Sequence, residues 1–130
     1  VDENSANSYY STKFHDGMRA AQEALRTWSL HDRTGNVREM EKLKHLKPMA
    51  QVADLMRDFA EEAKGMTAAL RILEIDEVMD PNDKRERYRQ IVQSRDILYQ
   101  NGLTVYMRAS AEAEKMSKKL KDSDKLRGKK

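Results

Sequence analysis

The amino-acid sequence predicts an all-α protein, an elongated antiparallel helical bundle of three long helices and one short helix. Three observations lead to this prediction. Apolar residues recur at steps of three and four over long stretches, as they do on one face of a helix. The 130 residues include only 5 glycines and 2 prolines, too few for a chain rich in β-turns. With 36% charged and 38% hydrophobic residues, the composition is typical of amphipathic helices with wide solvated faces.

The first long helix is predicted from about Ser8 to His31. Its apolar positions are spaced by 4, 4, 3, 4 and 3 residues, which is one helical stripe of Tyr10, Phe14, Met18, Ala21, Leu25 and Trp28. The residues before it, 1–7, are polar, and we expect them to form a flexible lead-in.

A turn, the short helix and the second long helix are predicted next. Gly35 suits the left-handed end of a helix, and Asn36 suits the cap of the short helix, which we expect from Val37 to about Leu46. Because Lys47 precedes a proline, its backbone is biased away from helix, and the pattern predicts a break there. The second long helix then runs from Pro48 to about Val78.

The sharpest local signal is the helix start at Asp80. This Asp suits an N-cap, Pro81 takes the first helical position, and Asp83 lies in the first turn, followed by strong helix formers. The final helix is predicted from Pro81 to about Leu120, so that the bundle spans residues 8–120. Since short loops make consecutive helices antiparallel neighbours, this start indicates a helix–turn–helix hairpin.

The final helix carries a heptad-like seam, because apolar residues recur every seven positions at Val92, Tyr99, Tyr106, Ala113 and Leu120. Such a seam is typical of helical bundles and coiled coils. Met107 and Met116 beside it could face a partner, since methionine-rich surfaces adapt to their partners, although filling gaps in a thin core is the commoner role of methionine. We therefore expect this side of the helix to pack against a partner protein through Val92, Tyr99, Tyr106, Met107, Ala113 and Met116.

The net charge of +3 is unevenly distributed along the chain. From Lys115 to Lys130, eight basic residues stand against two acidic ones. We expect residues 121–130 to be a flexible basic tail, and this region could contact phosphates or an acidic surface. The candidate contact residues are Lys118, Lys119, Lys121, Lys125, Arg127, Lys129 and Lys130.

No motif in the sequence indicates an enzyme, a metal or a cofactor. The chain has no cysteine, no HExxH, no Gly-x-Ser-x-Gly and no phosphate-binding glycine loop. Glu41 and His45 are four residues apart, a spacing that is commonly accidental on a helix surface. The acidic segment 76–83 lacks the glycine and glutamate that an EF-hand requires, and a helix cap explains it better. We predict no catalytic residues, no membrane span and no cofactor.

Three short segments, Gly35–Glu39, Leu46–Met49 and Asp80–Arg87, follow each other in a characteristic order. This order resembles a helical module near the C-terminus of very large bacteriophage proteins, namely internal virion (ejection) proteins of short-tailed phages and related polyvalent phage proteins. The resemblance covers roughly residues 10–108. It implies a structural part of a protein that is packaged in the phage particle and ejected with DNA, and it brings no catalytic residue. The absence of Met at position 1 fits a piece of a longer chain.

These observations predict a non-enzymatic assembly module, located inside the virion and packing against other copies of itself or other virion proteins. The alternative is a small free-standing nucleic-acid-binding protein of the cytoplasm, which would hold DNA through its basic C-terminal tail.

Overall fold

The computed structural model of the protein describes residues 3–35 and 37–128. Within this part of the chain the fold is all-α, as predicted, and no strand is present. The elements are α1 (Glu3–Thr34), α2 (Val37–Leu43), a single 3₁₀ turn (Lys44–Leu46), α3 (Lys47–Ile75) and α4 (Pro81–Gly128).

The three long helices contact one another pairwise, and their side-chain contacts define the directions in which they run. The ring of Phe14 packs on Tyr99 and faces Gly102, while Gly17 faces Tyr106. A later residue of α1 thus contacts a later residue of α4, so these two helices are parallel. α3 is antiparallel to both. In this register the start of α1 is level with about residue 91 of α4. The α3–α4 hairpin thus projects roughly 15 Å beyond α1.

The core is thin because many of its members are alanines. Phe14 and Met56 are the largest side chains that are fully buried. They pack with Tyr99 and with the alanines of α1 and α3 that face inward, namely Ala21, Ala53, Ala60 and Ala63. Glycine allows the closest approach: a Cβ atom on Gly17 would lie 2.8 Å from Cγ of Tyr106, well inside normal contact distance. Small residues thus let the three helices approach closely around a few large side chains.

The predicted break at Lys47 is not observed. The backbone of Lys47 is helical, with φ −56° and ψ −45°, and it leads from the 3₁₀ turn directly into α3. Proline is tolerated at Pro48 because a residue in the first helical turn has no intrahelical N–H bond to lose. Pro48 and Ala50 are both buried. This packing outweighs the local bias of a residue that precedes proline.

The helix ends also differ from the predicted ones. α1 begins at Glu3, within the expected lead-in, and α3 ends at Ile75 instead of Val78. α4 continues to Gly128, through most of the expected flexible tail, and it ends at a residue of low helix propensity. The predicted cap at Asn36 lies outside the described residues. The start of α4 agrees with prediction: the Asp80 carbonyl accepts the Lys84 N–H at 2.9 Å.

Candidate interaction surfaces

The seam of α4 packs inside the chain's own bundle. Val92, Tyr99 and Ala113 are buried, and Tyr106 packs against the core from its edge. Val92, Tyr99 and Ala113 are therefore covered by their own chain, and a partner contact through the seam stays a prediction. The seven-residue period of the seam indicates a helix face that is packed in a bundle. In this structure α1 and α3 are the helices that pack against it. Of the flanking methionines, Met107 is exposed and Met116 is half-buried.

The end of the α3–α4 hairpin exposes a group of apolar side chains, which we call the tip surface: Ile72, Ile75, Val78 and Met79. Ile75 is 77% exposed and Val78 is 97% exposed. Large aliphatic side chains are therefore exposed close together in the sequence at this end of the molecule. The same segment is acidic, with five acidic residues and no basic residue from Ile72 to Asp83.

Hydrogen bonds hold the turn beneath the tip surface in one conformation. Oδ1 of Asp76 accepts the N–H groups of Val78 at 2.9 Å and of Met79 at 3.1 Å. These two bonds, with the nearby Lys84 ammonium, hold the pKa of the Asp76 carboxyl below its ordinary value. Nζ of Lys84 donates to the carbonyl oxygens of Glu74 and Asp76. Val78 and Met79 are therefore presented by an ordered turn.

The opposite end of the molecule is formed by the α1–α2 corner. Leu30 is 62% exposed and Val37 is 72% exposed, and Arg33 and Arg38 beside them are exposed as well. These four residues are named the corner surface. The segment from Leu30 to Lys47 holds five basic and three acidic residues, so its charge is opposite in sign to that of the tip.

A third candidate surface follows the outer side of α4. Arg108, Lys115 and Lys119 line one shallow depression. Lys119 also lines a second depression of about 350 Å³ with Lys44 and His45, which come from the 3₁₀ turn. We refer to Lys44, Arg108, Lys115 and Lys119 as the α4 basic face. Glu41 and Glu112 also line these depressions, so acidic side chains lie among the basic ones on this face.

The predicted phosphate-contacting residues lie only partly on this face. Lys118, Lys119, Lys121 and Lys125 are exposed on α4. Arg127 belongs to the last turn of α4, and Lys129 and Lys130 lie outside the described residues. Sequence reasoning missed Lys44 and Arg108. Lys44 is far from Lys119 in the sequence, and no local pattern brings the two together.

A groove of about 630 Å³ lies between α3 and α4, and its lining residues all come from these two helices. Its floor is apolar, with Met66, Ala69 and Ile91, and charged residues at its edges include Glu62 and Arg87. It contains no cluster of catalytic groups. Among the described residues no three His, Cys, Asp or Glu side chains are grouped to hold a metal ion. His45, which the sequence pairs with Glu41, donates from Nδ1 to the Lys42 carbonyl at 3.1 Å.

Within residues 3–35 and 37–128, no helix combines the length and apolar character needed to cross a membrane. No protein-family model matches the sequence, and comparisons with curated proteins and with solved structures return no match either.

Proposed function

We propose that this chain is a non-enzymatic assembly module, an elongated antiparallel bundle whose copies associate through the tip surface. The observation that carries the proposal is the exposure of Ile75 and Val78 on a turn that hydrogen bonds hold in place. A protein contact that buried these side chains would recover roughly 25 cal/mol per Å² of apolar area. An ordered turn also loses little conformational freedom when it binds.

A second copy is the occupant that we propose for the tip. The tip segment from Ile72 to Asp83 is purely acidic in its charged residues, whereas the segment from Leu30 to Lys47 has an excess of basic residues. The segment from Leu30 to Lys47 therefore has the charge that would attract the tip of another copy. Opposite charges steer association and oppose wrong pairings, since two acidic tips repel each other.

The experiment is sedimentation velocity on the purified chain over a concentration series at low salt. Val78→Ser removes an apolar side chain that makes no core contact, and we expect it to weaken association at least tenfold. The matched control is Ile97→Ser, since Ile97 is also exposed but lies on α4 away from the tip. A wild-type chain that stays monomeric at all concentrations would overturn the proposal. So would an equal loss of association in both variants.

The setting that we propose for the module is a bacteriophage internal virion (ejection) protein. The support is the order of the helix-start segments Gly35–Glu39, Leu46–Met49 and Asp80–Arg87, together with a fold that carries no catalytic cluster among the described residues. Measuring the intact mass of the native polypeptide, and searching for it in purified particles, tests this setting. A mass near 15.1 kDa, or absence of the polypeptide from virions, would contradict the proposed virion setting.

The α4 basic face favours a second candidate function, binding of the DNA backbone. Lys44 joins Lys119 at one depression, so the basic surface extends from α4 onto the 3₁₀ turn. Four phosphate contacts on a duplex predict that affinity falls roughly 100-fold between 50 and 200 mM salt.

Fluorescence anisotropy with a labelled 20-base-pair duplex measures this salt dependence. Lys44→Glu should weaken binding, whereas Lys13→Glu, an exposed lysine of α1, serves as the control for net charge. Equal effects of the two variants would exclude a defined face.

A further inference from the structure

The two ends of the molecule are complementary in both apolar character and charge. At the tip surface, exposed Ile75 and Val78 lie beside exposed carboxylates such as Glu77. At the corner surface, exposed Leu30 and Val37 lie beside the exposed guanidinium groups of Arg33 and Arg38. Lys84 also lies at the tip, and exposed Asp32 lies at the corner, but carboxylates outnumber the cation at the tip and guanidinium groups outnumber the carboxylate at the corner. Each surface thus combines uncovered apolar side chains with a net charge, and the two net charges have opposite signs.

One chain cannot bring its own two ends together. In the register of α1 against α4, the end of α1 at Thr34 is level with about residue 122 of α4. The tip turn directly precedes Pro81, where α4 begins. At 1.5 Å per helical residue, the tip and the corner lie roughly 60 Å apart along the bundle. Only a second molecule can supply the partner for either end.

We infer that the tip surface of one copy docks on the corner surface of the next, so that copies associate head to tail. The inference rests on the proposed function and names the receiving surface. We take the copies to meet end to end, so that the contact is heterologous and each bound copy still presents one free tip and one free corner. Copies arranged in this way add in series, as an open filament or a closed ring, whereas two antiparallel copies lying side by side would close a two-fold dimer through the same two surfaces.

The charged residues supply the specificity of this contact. Glu77 of the tip would face Arg38 of the next copy, and screening by salt would weaken the attraction. Tip-to-tip association would instead place the acidic segments of two copies against each other. The charge pattern therefore favours the tip-to-corner contact over the tip-to-tip one.

Charge reversal tests the inference, with association measured by sedimentation velocity at low salt. Arg38→Glu alters only the corner, and we expect at least a tenfold loss of association. Glu77→Lys alters only the tip, and we expect a similar loss. The double variant Glu77→Lys/Arg38→Glu restores the opposite charges with their positions exchanged and should recover most of the association. Arg57→Glu, at an exposed arginine in the middle of α3, is the control and should associate like the wild type.

The outcomes separate this inference from the proposed function. If Val78→Ser and Glu77→Lys weaken association but Arg38→Glu does not, the tip is an assembly surface and the corner is not its partner. A wild-type series that ends at a dimer would overturn the end-to-end arrangement while leaving the tip surface in place. If none of the tip variants changes association, the proposed function itself fails. Recovery in the double variant, with species larger than a dimer, supports the inference.

Discussion

Lys84 and Asp76 are linked across the tip of the hairpin. Nζ of Lys84, in the first turn of α4, donates to the Asp76 carbonyl at 2.7 Å and to the Glu74 carbonyl at 3.0 Å. The last carbonyls of a helix have no intrahelical donor and carry partial negative charge, so a cation there satisfies and stabilises them. One side chain of α4 thereby closes the C-terminal end of α3 and holds the two helices together at the turn.

Replacing Lys84 by methionine should destabilise the hairpin. Lys84→Met keeps a long apolar stem but removes both hydrogen bonds, and we expect the free energy of unfolding to fall by about 1–2 kcal/mol in urea titrations. The control is Arg85→Met, which removes the same charge from an adjacent exposed position. Equal losses in the two variants would mean that charge alone matters and that the bonds to the carbonyls contribute nothing.

The Asp76 carboxylate should make stability depend on pH in the acid range. Its pKa is lowered in the folded chain because it accepts the Val78 and Met79 N–H groups. A lowered folded-state pKa means that the contribution is present above the ordinary carboxyl pKa and is lost as pH falls through the folded value. In urea titrations from pH 6 downward, the stability difference between wild type and Asp76→Asn should therefore shrink. Glu77→Gln controls for loss of one negative charge. A constant difference for Asp76→Asn would contradict the prediction.

Local signals in the sequence predict the helices and much of the core. Asp80 and Pro81 indicate where α4 begins, and the structure confirms that start. The α1 stripe contains Phe14, which is fully buried. These features are predictable because capping and helical period depend on residues within a few positions of each other.

The surfaces are less predictable because they depend on which helices cover which faces. The period of Tyr99 and Tyr106 indicates a packed face, but it does not say whether the packing helix belongs to the same chain or to a partner. Lys44 and Lys119 line one depression only because the 3₁₀ turn lies beside α4. The exposure of Val78 likewise follows from the projection of the hairpin beyond α1, which no local pattern reports.

A hydrogen-bonded pair between α3 and α4 should stabilise their packing. Nη1 of Arg95 donates to Oγ1 of Thr67 at 2.9 Å, and this hydroxyl donates to the Ala63 carbonyl at 3.1 Å. Nε of Arg95 is buried and has no hydrogen-bond partner. Losing the bond to Thr67 would therefore leave the guanidinium with a further unsatisfied N–H group. Thr67→Val should lower the free energy of unfolding by about 1–2 kcal/mol in urea titrations. The control is Thr104→Val, since exposed Thr104 makes the same bond to a helix carbonyl but none between helices. Equal losses would refute the prediction.

Two glycines in helix interiors should respond oppositely to alanine. Nothing lies within 4 Å of a Cβ atom on Gly65, so Gly65→Ala should gain about 1 kcal/mol from helix propensity. At Gly102 the added Cβ would overlap the ring of Phe14 and lie 3.1 Å from Phe59, two side chains that the core holds in place. We expect Gly102→Ala to lower the free energy of unfolding by about 1–3 kcal/mol despite the same propensity gain. Thermal unfolding measures both variants, each serving as the control for the other. If Gly102→Ala were as stabilising as Gly65→Ala, α1 would not pack against α4 at this glycine.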